Sequence, residues 1–321
     1  CGDLGLGPLF LGLNRNKRSI VLDLKTPEGL AALLRLAKDA DVLATNVRPA
    51  GMRRLGLGYE QLAAANPRLI YASMVGFSQR GPYAPKAAYD DMIQAATGLA
   101  AAVGEGAGGE PRYLPITIAD RSVGLYAFGV ISAALYARER TGVGQSIDIP
   151  MFETMIPYVL GDHLYGHTFI PARGDFGYPR LLNAQRRPFQ TADGFACCLV
   201  YTDEQWGAFL AATGEADLFE TDPRFKDGET RTQHIQELYQ IVADKLLLRT
   251  TAQWKSLLEP LGITVFPVHS FETLLADEHL ADIGFFQQYE HPTEGTLRTM
   301  SVPSEWSGST LAPLRPPPLL G

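Results

Sequence analysis

This 321-residue chain is short of cysteine: Cys1, Cys197 and Cys198 are its three. Three thiols, two of them adjacent in sequence, cannot build the disulfide framework of a small secreted fold, so a reducing compartment is expected. Basic charge is also lacking. With 28 Lys and Arg against 35 Asp and Glu, the net charge is -7, whereas a general nucleic-acid binder needs a basic surface to displace counterions. No apolar run is long enough for a membrane span: the longest, Val123 to Ala137, is interrupted by Gly124, Gly129 and Ser132 and bracketed by Arg121 and Arg138. No signal-peptide pattern stands at the start, no G-x-G-x-x-G follows the first expected strand, and no internal repeat is seen. The expectation is a soluble cytoplasmic protein with no nucleic-acid or membrane partner.

What is present describes an ordinary globular chain, 46% hydrophobic and 20% charged, with length for two domains. Ser19 to Leu24 reads as a strand, Thr26-Pro27-Glu28-Gly29 opens a helix through Ala37, and Asp41 to Thr45 reads as the next strand. That order predicts a right-handed βαβ unit with a parallel sheet. Tyr59 to Ala65 then reads as helix and Leu69 to Val75 as strand. Further on, Asp120 stands at an N-cap position before Val123, Ala127, Val130, Ile131, Ala134 and Leu135, which recur at helical spacing. Thr141-Gly142 ends this helix and Gly144 admits the strand Gln145 to Ile149. From Phe152 to Gln185 a helix and then an extended connection are expected. A hairpin across Ala192-Asp193-Gly194 follows, with helices over Asp203 to Thr213, Thr232 to Leu248 and Thr251 to Leu261, short strands over Val265 to Val268 and Arg298 to Val302, and a Pro-rich tail.

Chemistry concentrates in few places. A carboxylate at a helix N-terminus is held ionised by the dipole and free N–H groups, and an ionised, positioned carboxylate can be a nucleophile, although on this pattern alone such a residue is ordinarily a plain stability device. His163 and His167 are four apart but lack a third ligand for a metal. The loop Gly104 to Glu110 carries two acids and no lysine, which suits a surface loop better than a phosphate cradle. Arg15, Lys17 and Arg18 read either as a phosphate clamp or as a solvated edge, and Arg48, Arg53 and Arg54 add to the first reading. Asn46 to Arg48 lie where an α/β sheet binds ligands, at the carboxyl end of a strand.

Several runs together resemble the class III CoA-transferases, the CaiB/BaiF family. They are N-R-N-K-R-S-I-V-L-D-L-K-T-P-E-G, A-D-V-L-A-T-N-V-R-P-A-G-M-R-R-L-G-L-G-Y-E, N-P-R-L-I-Y-A-S-M-V-G-F-S-Q-R-G-P-Y-A, Y-D-D-M-I-Q-A-A-T-G-L, I-A-D-R-S-V-G and R-T-G-V-G-Q-S-I-D-I-P-M, followed by D-P-R-F and G-I-T-V-F-P-V. The resemblance implies an α/β fold: a Rossmann-like large domain with a parallel sheet plus a smaller α/β domain, in an interlaced homodimer. It places the N-terminal part of the large domain at 1–151, a linker at 152–185, the small domain at 186–270, and a linker returning to the large domain at 271–321. It implies transfer of CoA from an acyl-CoA to a carboxylic acid, with the CoA thioester as substrate and no separate cofactor or metal. By motif, Asp120 matches the nucleophile. Leu22, Asp23, Leu24, Lys25, Asn46, Val47, Arg48, Arg54, Lys86, Ala87, Ala88 and Tyr89 match the CoA-binding positions. The 2-methylacyl-CoA racemases of this family use a histidine where this chain has Tyr89, a poor acid/base substitute at neutral pH. Members commonly begin some tens of residues earlier, so a CoA-binding relative without turnover is the alternative. Where some members carry a glycine-rich loop over the active site, near Arg180 to Arg187, this chain reads R-L-L-N-A-Q-R-R.

Overall fold

A computed structural model describes residues 5–319; Cys1 lies outside them. The chain divides into two compact units, Cys1–Asp23 with His269–Gly321, and Leu24–Val268.

In the first unit, α1 (Pro8–Leu13) leads to Asn16, whose positive φ of 62° turns the chain sharply. Asn16 donates its backbone N–H to the Arg315 carbonyl and accepts the Arg315 N–H on its side chain. Arg15 donates to Thr299 and to the Met300 carbonyl. The Arg15 cluster is thus partly a clamp on the C-terminal segment. The expected strand Ser19 to Leu24 is not found: no strand is assigned over these residues, Leu24 lies in a turn, and Ile20 and Val21 are exposed. β-branched residues favour extended backbone, but a strand exists only where a neighbour completes its ladder.

In the second unit, α2 (Pro27–Lys38) starts as its signature demands, with Thr26 accepting the Gly29 N–H at 3.1 Å and Pro27 at the first position. The strand β1 (Val42–Thr45) follows. α3 (Pro49–Arg54) and α4 (Tyr59–Ala65) cross to β2 (Ile70–Val75), and α5 (Asp90–Ala96), α6 (Leu99–Gly106) and α7 (Ile118–Thr141) cross to β3 (Gln145–Pro150). The three strands are parallel in the order β1-β2-β3, with Ala44 opposite Ala72 and Ala72 opposite Ile147. The βαβ pattern is present, therefore, but it begins one strand later than expected. The glycine-rich run is also partly helical, since Gly104 and Gly106 belong to the end of α6.

The crossover helix α7 is 24 residues long, and by length and composition it could cross a membrane. It exceeds the apolar run seen in the sequence because polar residues extend it at both ends. Ala119, Val123, Ala127 and Ala134 form the stripe that it buries, and Ala119, Val123 and Ala127 share a core with Ala72 and Ile149 of the sheet. Its last turn is held by buried Arg138, which pairs with Asp41 at 2.9 Å and donates to the carbonyls of Asp41 and Arg68, just before β1 and β2. Gly142 ends the helix at φ 77°.

After α8 (Met151–His163), β4 (Phe189–Gln190), β5 (Phe195–Cys198) and a later strand make a separate antiparallel sheet. Between β5 and that strand come α9 (Asp203–Ala212), α10 (Leu218–Thr221), α11 (Gly228–Gln233), α12 (Ile235–Leu246) and α13 (Thr251–Leu258); the strand is β6 (Val265–Pro267). The predicted helix Thr232 to Leu248 is broken at His234, the C-cap of α11. This part has its own core around Trp206, Phe209, Leu238 and Trp254. In the first unit, α14 (Phe271–Leu275) and α15 (Glu278–Asp282) precede the hairpin of β7 (Phe286–His291) and β8 (Gly295–Met300).

Two substitutions test this packing. A Cβ at Gly144 would collide with the Leu69 carbonyl oxygen, so Gly144→Ala should destabilise by about 1–3 kcal/mol. Trp206→Ala, in the core of the antiparallel part, should cost about 3–5 kcal/mol. Urea denaturation followed by circular dichroism reads both; wild-type midpoints in either variant would contradict the packing described.

Candidate active site

The carboxyl edge of the parallel sheet gathers most of the candidate residues. Asn46 and Val47 follow β1 directly, and Arg48 is the N-cap of α3, whose last residue is Arg54. All four are exposed. One strand over, Lys86 to Tyr89 lead into α5 beside the end of β2: the Cβ position at Gly76, just after β2, lies against the Ala88 Cβ. Lys86 Nζ stands 3.9 Å from the Tyr83 ring centre, and Tyr89, the N-cap of α5, is 72% exposed. Leu24 and Lys25 begin the same unit, whereas Leu22 and Asp23 belong to the other one. The structure therefore brings Asn46, Val47, Arg48, Arg54, Lys86, Ala87, Ala88 and Tyr89 to one edge of this unit's sheet.

Asp120 lies on the same side, at the start of the crossover helix. It is not the N-cap: that position is Thr117, whose side chain makes no capping bond, and Asp120 is the third helical residue. The missing cap comes from a neighbouring helix. Asp90, at the first position of α5, is buried at 8% exposure and accepts the Asp120 backbone N–H on Oδ1 at 2.9 Å. Its Oδ2 accepts the amide of Gln94, one turn on and fully buried, at 2.7 Å. Gln94 Oε1 in turn accepts the Leu114 N–H at 2.9 Å in the loop before α7. One carboxylate and one amide thus join the start of α5 to the start of α7.

This changes the expected electrostatics of Asp120. A helix N-terminus alone lowers a carboxyl pKa. Here the Asp120 N–H is taken by Asp90, and partial burial of the Asp120 carboxyl, followed by the negative charge of Asp90, raises its pKa above the ordinary value. The resulting carboxylate is more basic than an exposed aspartate and accessible from solvent. Asp90 went unnoticed in the sequence; the only signal was the doubled acid of Y-D-D, thirty residues away from Asp120.

Other candidates resolve simply. His163 Nδ1 accepts the Tyr178 N–H at 3.3 Å, while His167 stacks on Phe176 at 3.7 Å, so the two rings face different partners. Among the described residues no group of three or more His, Cys, Asp or Glu is placed to hold a metal. Cys197 is exposed; burial and then Cys197 push the Cys198 thiol up to about 12, where it is inert as a nucleophile.

Comparison with known proteins agrees with this arrangement. The profile of CoA-transferase family III matches residues 3–321. The chain is 33% identical to an acyl-CoA transferase of Fusarium pseudograminearum, over 98% of this chain and 70% of the relative. It is also 33% identical to a succinate–glutarate CoA-transferase of Agrobacterium fabrum, over 96% and 76%. Among solved structures, a CaiB/BaiF family protein from Brucella suis superposes with a TM-score of 0.78 at 28% identity, covering 99% of this chain and 85% of that one. The chain belongs to CoA-transferase family III, with the α/β fold and parallel sheet of its structural neighbours.

Two measurements test the site's electrostatics. Asp90→Asn removes the adjacent charge, so the Asp120 carboxyl should titrate lower, read by carboxyl-carbon NMR; no movement would mean that Asp90 does not act on it. A carboxyl whose folded pKa is raised opposes folding once both states are ionised and is neutral to it below the unfolded value of about 3.9. Asp120→Asn should therefore be more stable than wild type at neutral pH, and the gap should close as pH falls through the folded pKa towards the unfolded one. A less stable Asn variant at neutral pH would contradict this sign.

Proposed function

We propose that this class III CoA-transferase moves CoA from an acyl-CoA donor to a carboxylic acid acceptor, with Asp120 as covalent nucleophile. The observation that carries the reading is an accessible carboxylate made basic by a buried neighbour at the carboxyl edge of the sheet. In the first step Asp120 attacks the donor's thioester carbonyl, and the tetrahedral adduct expels CoA thiolate to leave a mixed anhydride. The thiolate then attacks the Asp120 carbonyl, releasing the donor acid and leaving an aspartyl-CoA thioester. The acceptor carboxylate attacks that thioester to form a second anhydride and expel CoA thiolate. The thiolate finally attacks the acceptor's acyl carbon, which frees the new acyl-CoA and restores Asp120. Each tetrahedral stage needs N–H donors for its oxyanion.

In this reading Arg48, Arg54 and Lys86 hold phosphates of CoA, while Leu24, Lys25, Asn46, Val47, Ala87, Ala88 and Tyr89 lie along its length. Similarity to a succinate–glutarate CoA-transferase supports acids of metabolic size as acceptors. The proposal includes an interlaced homodimer: the outer face of α7 exposes Leu125 at 75% and Phe128 at 73%, apolar surface of the kind a partner subunit covers. A cytoplasmic setting matches the free thiols of Cys197 and Cys198. A racemase reading is disfavoured because Tyr89 replaces the imidazole base that such chemistry needs.

Intact-protein mass after mixing with a panel of short acyl-CoAs tests the route. A CoA-sized adduct, trapped by hydroxylamine at Asp120, is expected for wild type and absent from Asp120→Ala, whose transfer rate should fall by at least about a thousandfold. CoA binding without any adduct or exchange would instead establish a binding-only relative. Gel filtration as a stable monomer would overturn the homodimer.

A further inference from the structure

A cavity of about 330 Å³ opens between the connection after α8 and the β4–β5 hairpin, and Arg180, Arg186 and Arg187 line it with Cys197. No carboxylate is among its lining residues. Elsewhere in the unit, buried or half-buried arginines are neutralised: Arg138 by Asp41, Arg224 by Asp222 and Glu237, Arg231 by Asp203. Among the described residues Arg180, Arg186 and Arg187 have no ion pair. Arg180 is half-buried, yet aromatic hydroxyls rather than acids position it. Its Nε donates to Tyr239 Oη at 3.2 Å, and its guanidinium stands 4.6 Å from the Tyr201 ring centre. Arg187 also borders a hollow containing Asp244, whose carboxylate is engaged by Gln240 at 2.7 Å, and Arg180 borders one containing Asp203, which pairs with Arg231, and the exposed Glu204. Three cations lining one cavity without an ion-paired acid repel one another, and an oxyanion placed among them relieves this with charge-assisted bonds.

The second feature is apolar. Arg186 and Arg187 are shared with an adjoining hollow of about 530 Å³, walled by the α6 residues Leu99 and Val103 and by Leu181 and Leu182. A cationic cavity therefore continues into a hydrophobic one, the arrangement that suits a ligand with one anionic end and a hydrocarbon body. We propose that Arg180, Arg186 and Arg187 hold the carboxylate of an apolar carboxylic acid whose chain lies against Leu99, Val103 and Leu182. The same oxyanion chemistry is offered by a phosphate of CoA, which supplies the competing source. The inference rests on the transferase reading for its class of ligand, a carboxylic acid, and is tested apart from Asp120, which lines neither cavity.

The test uses full-length Asp120→Ala protein, in which binding is measured without turnover, so that failure of this site and failure of the Asp120 chemistry are separable. Acetate, butyrate, octanoate and CoA are titrated by calorimetry, and alkylation of Cys197, located by peptide mass, reports occupancy of the cavity. Octanoate should bind at least about tenfold more tightly than acetate, as chain burial requires. It should slow Cys197 alkylation, and the double substitution Arg186→Ala with Arg187→Ala should weaken it at least about tenfold while leaving CoA affinity unchanged. Circular dichroism confirms folding of the variant, and the double lysine substitution should recover part of the affinity by restoring charge. No octanoate binding up to about 10 mM, binding indifferent to chain length or to the arginines, or protection of Cys197 by CoA instead of octanoate would each overturn the proposal.

Discussion

The site depends on one buried carboxylate. Asp90 accepts the backbone N–H of Asp120 on one oxygen and the amide of Gln94 on the other, so both oxygens are engaged where burial makes an unpaired charge costly. Two consequences follow from this one group. The start of α7 is tied to the start of α5, which sets where Asp120 emerges. The N–H that would otherwise acidify Asp120 is consumed, and a negative charge is left beside it, so its carboxylate becomes more basic. A carboxylate at a helix start is thus made more basic, not more acidic, by its surroundings.

The far end of the same helix is held by the opposite charge. Arg138 reaches Asp41 and the carbonyls that precede β1 and β2, and Gly142 then lets the chain turn into β3. Between these anchors a stripe of alanines and valines lets α7 lie close to the sheet. Since a crossover helix runs back along its strands, anchoring both ends fixes Asp120 on the carboxyl edge, where α/β sheets bind ligands. Asn46 to Arg48 and Lys86 to Tyr89, proposed for CoA, follow β1 and β2 at that edge.

Much of this arrangement was legible in the residues. Thr26-Pro27-Glu28-Gly29 carries its own cap and first turn, and α2 begins there. Tyr59 to Ala65 is a helix over the whole expected range, and the hairpin across Asp193-Gly194 needs no information from elsewhere. What depends on distant partners was not legible. Ser19 to Leu24 has strand-forming residues, but a strand also needs a ladder neighbour, and nothing local specifies one. Thr117 and Asp120 compete for the cap position, and the outcome rests on Asp90, thirty residues away and brought near by packing. Arg15 looks like a ligand clamp until Thr299 and the Met300 carbonyl are seen to take its donors. Family likeness supplied the chemistry that spacing alone could not, since a carboxylate early in a helix is in most proteins only a stabilising group.

The account rests on Asp120 forming acyl bonds through its own oxygen, and oxygen labelling tests this most directly. With an acceptor acid carrying ¹⁸O in its carboxylate, every complete transfer should leave one labelled oxygen on Asp120, because the second anhydride breaks at the acceptor's acyl carbon. Peptide mass analysis after turnover should find the label in the segment containing Asp120 and nowhere else. Turnover that leaves this carboxylate unlabelled would show that CoA passes from donor to acceptor without a covalent bond to Asp120.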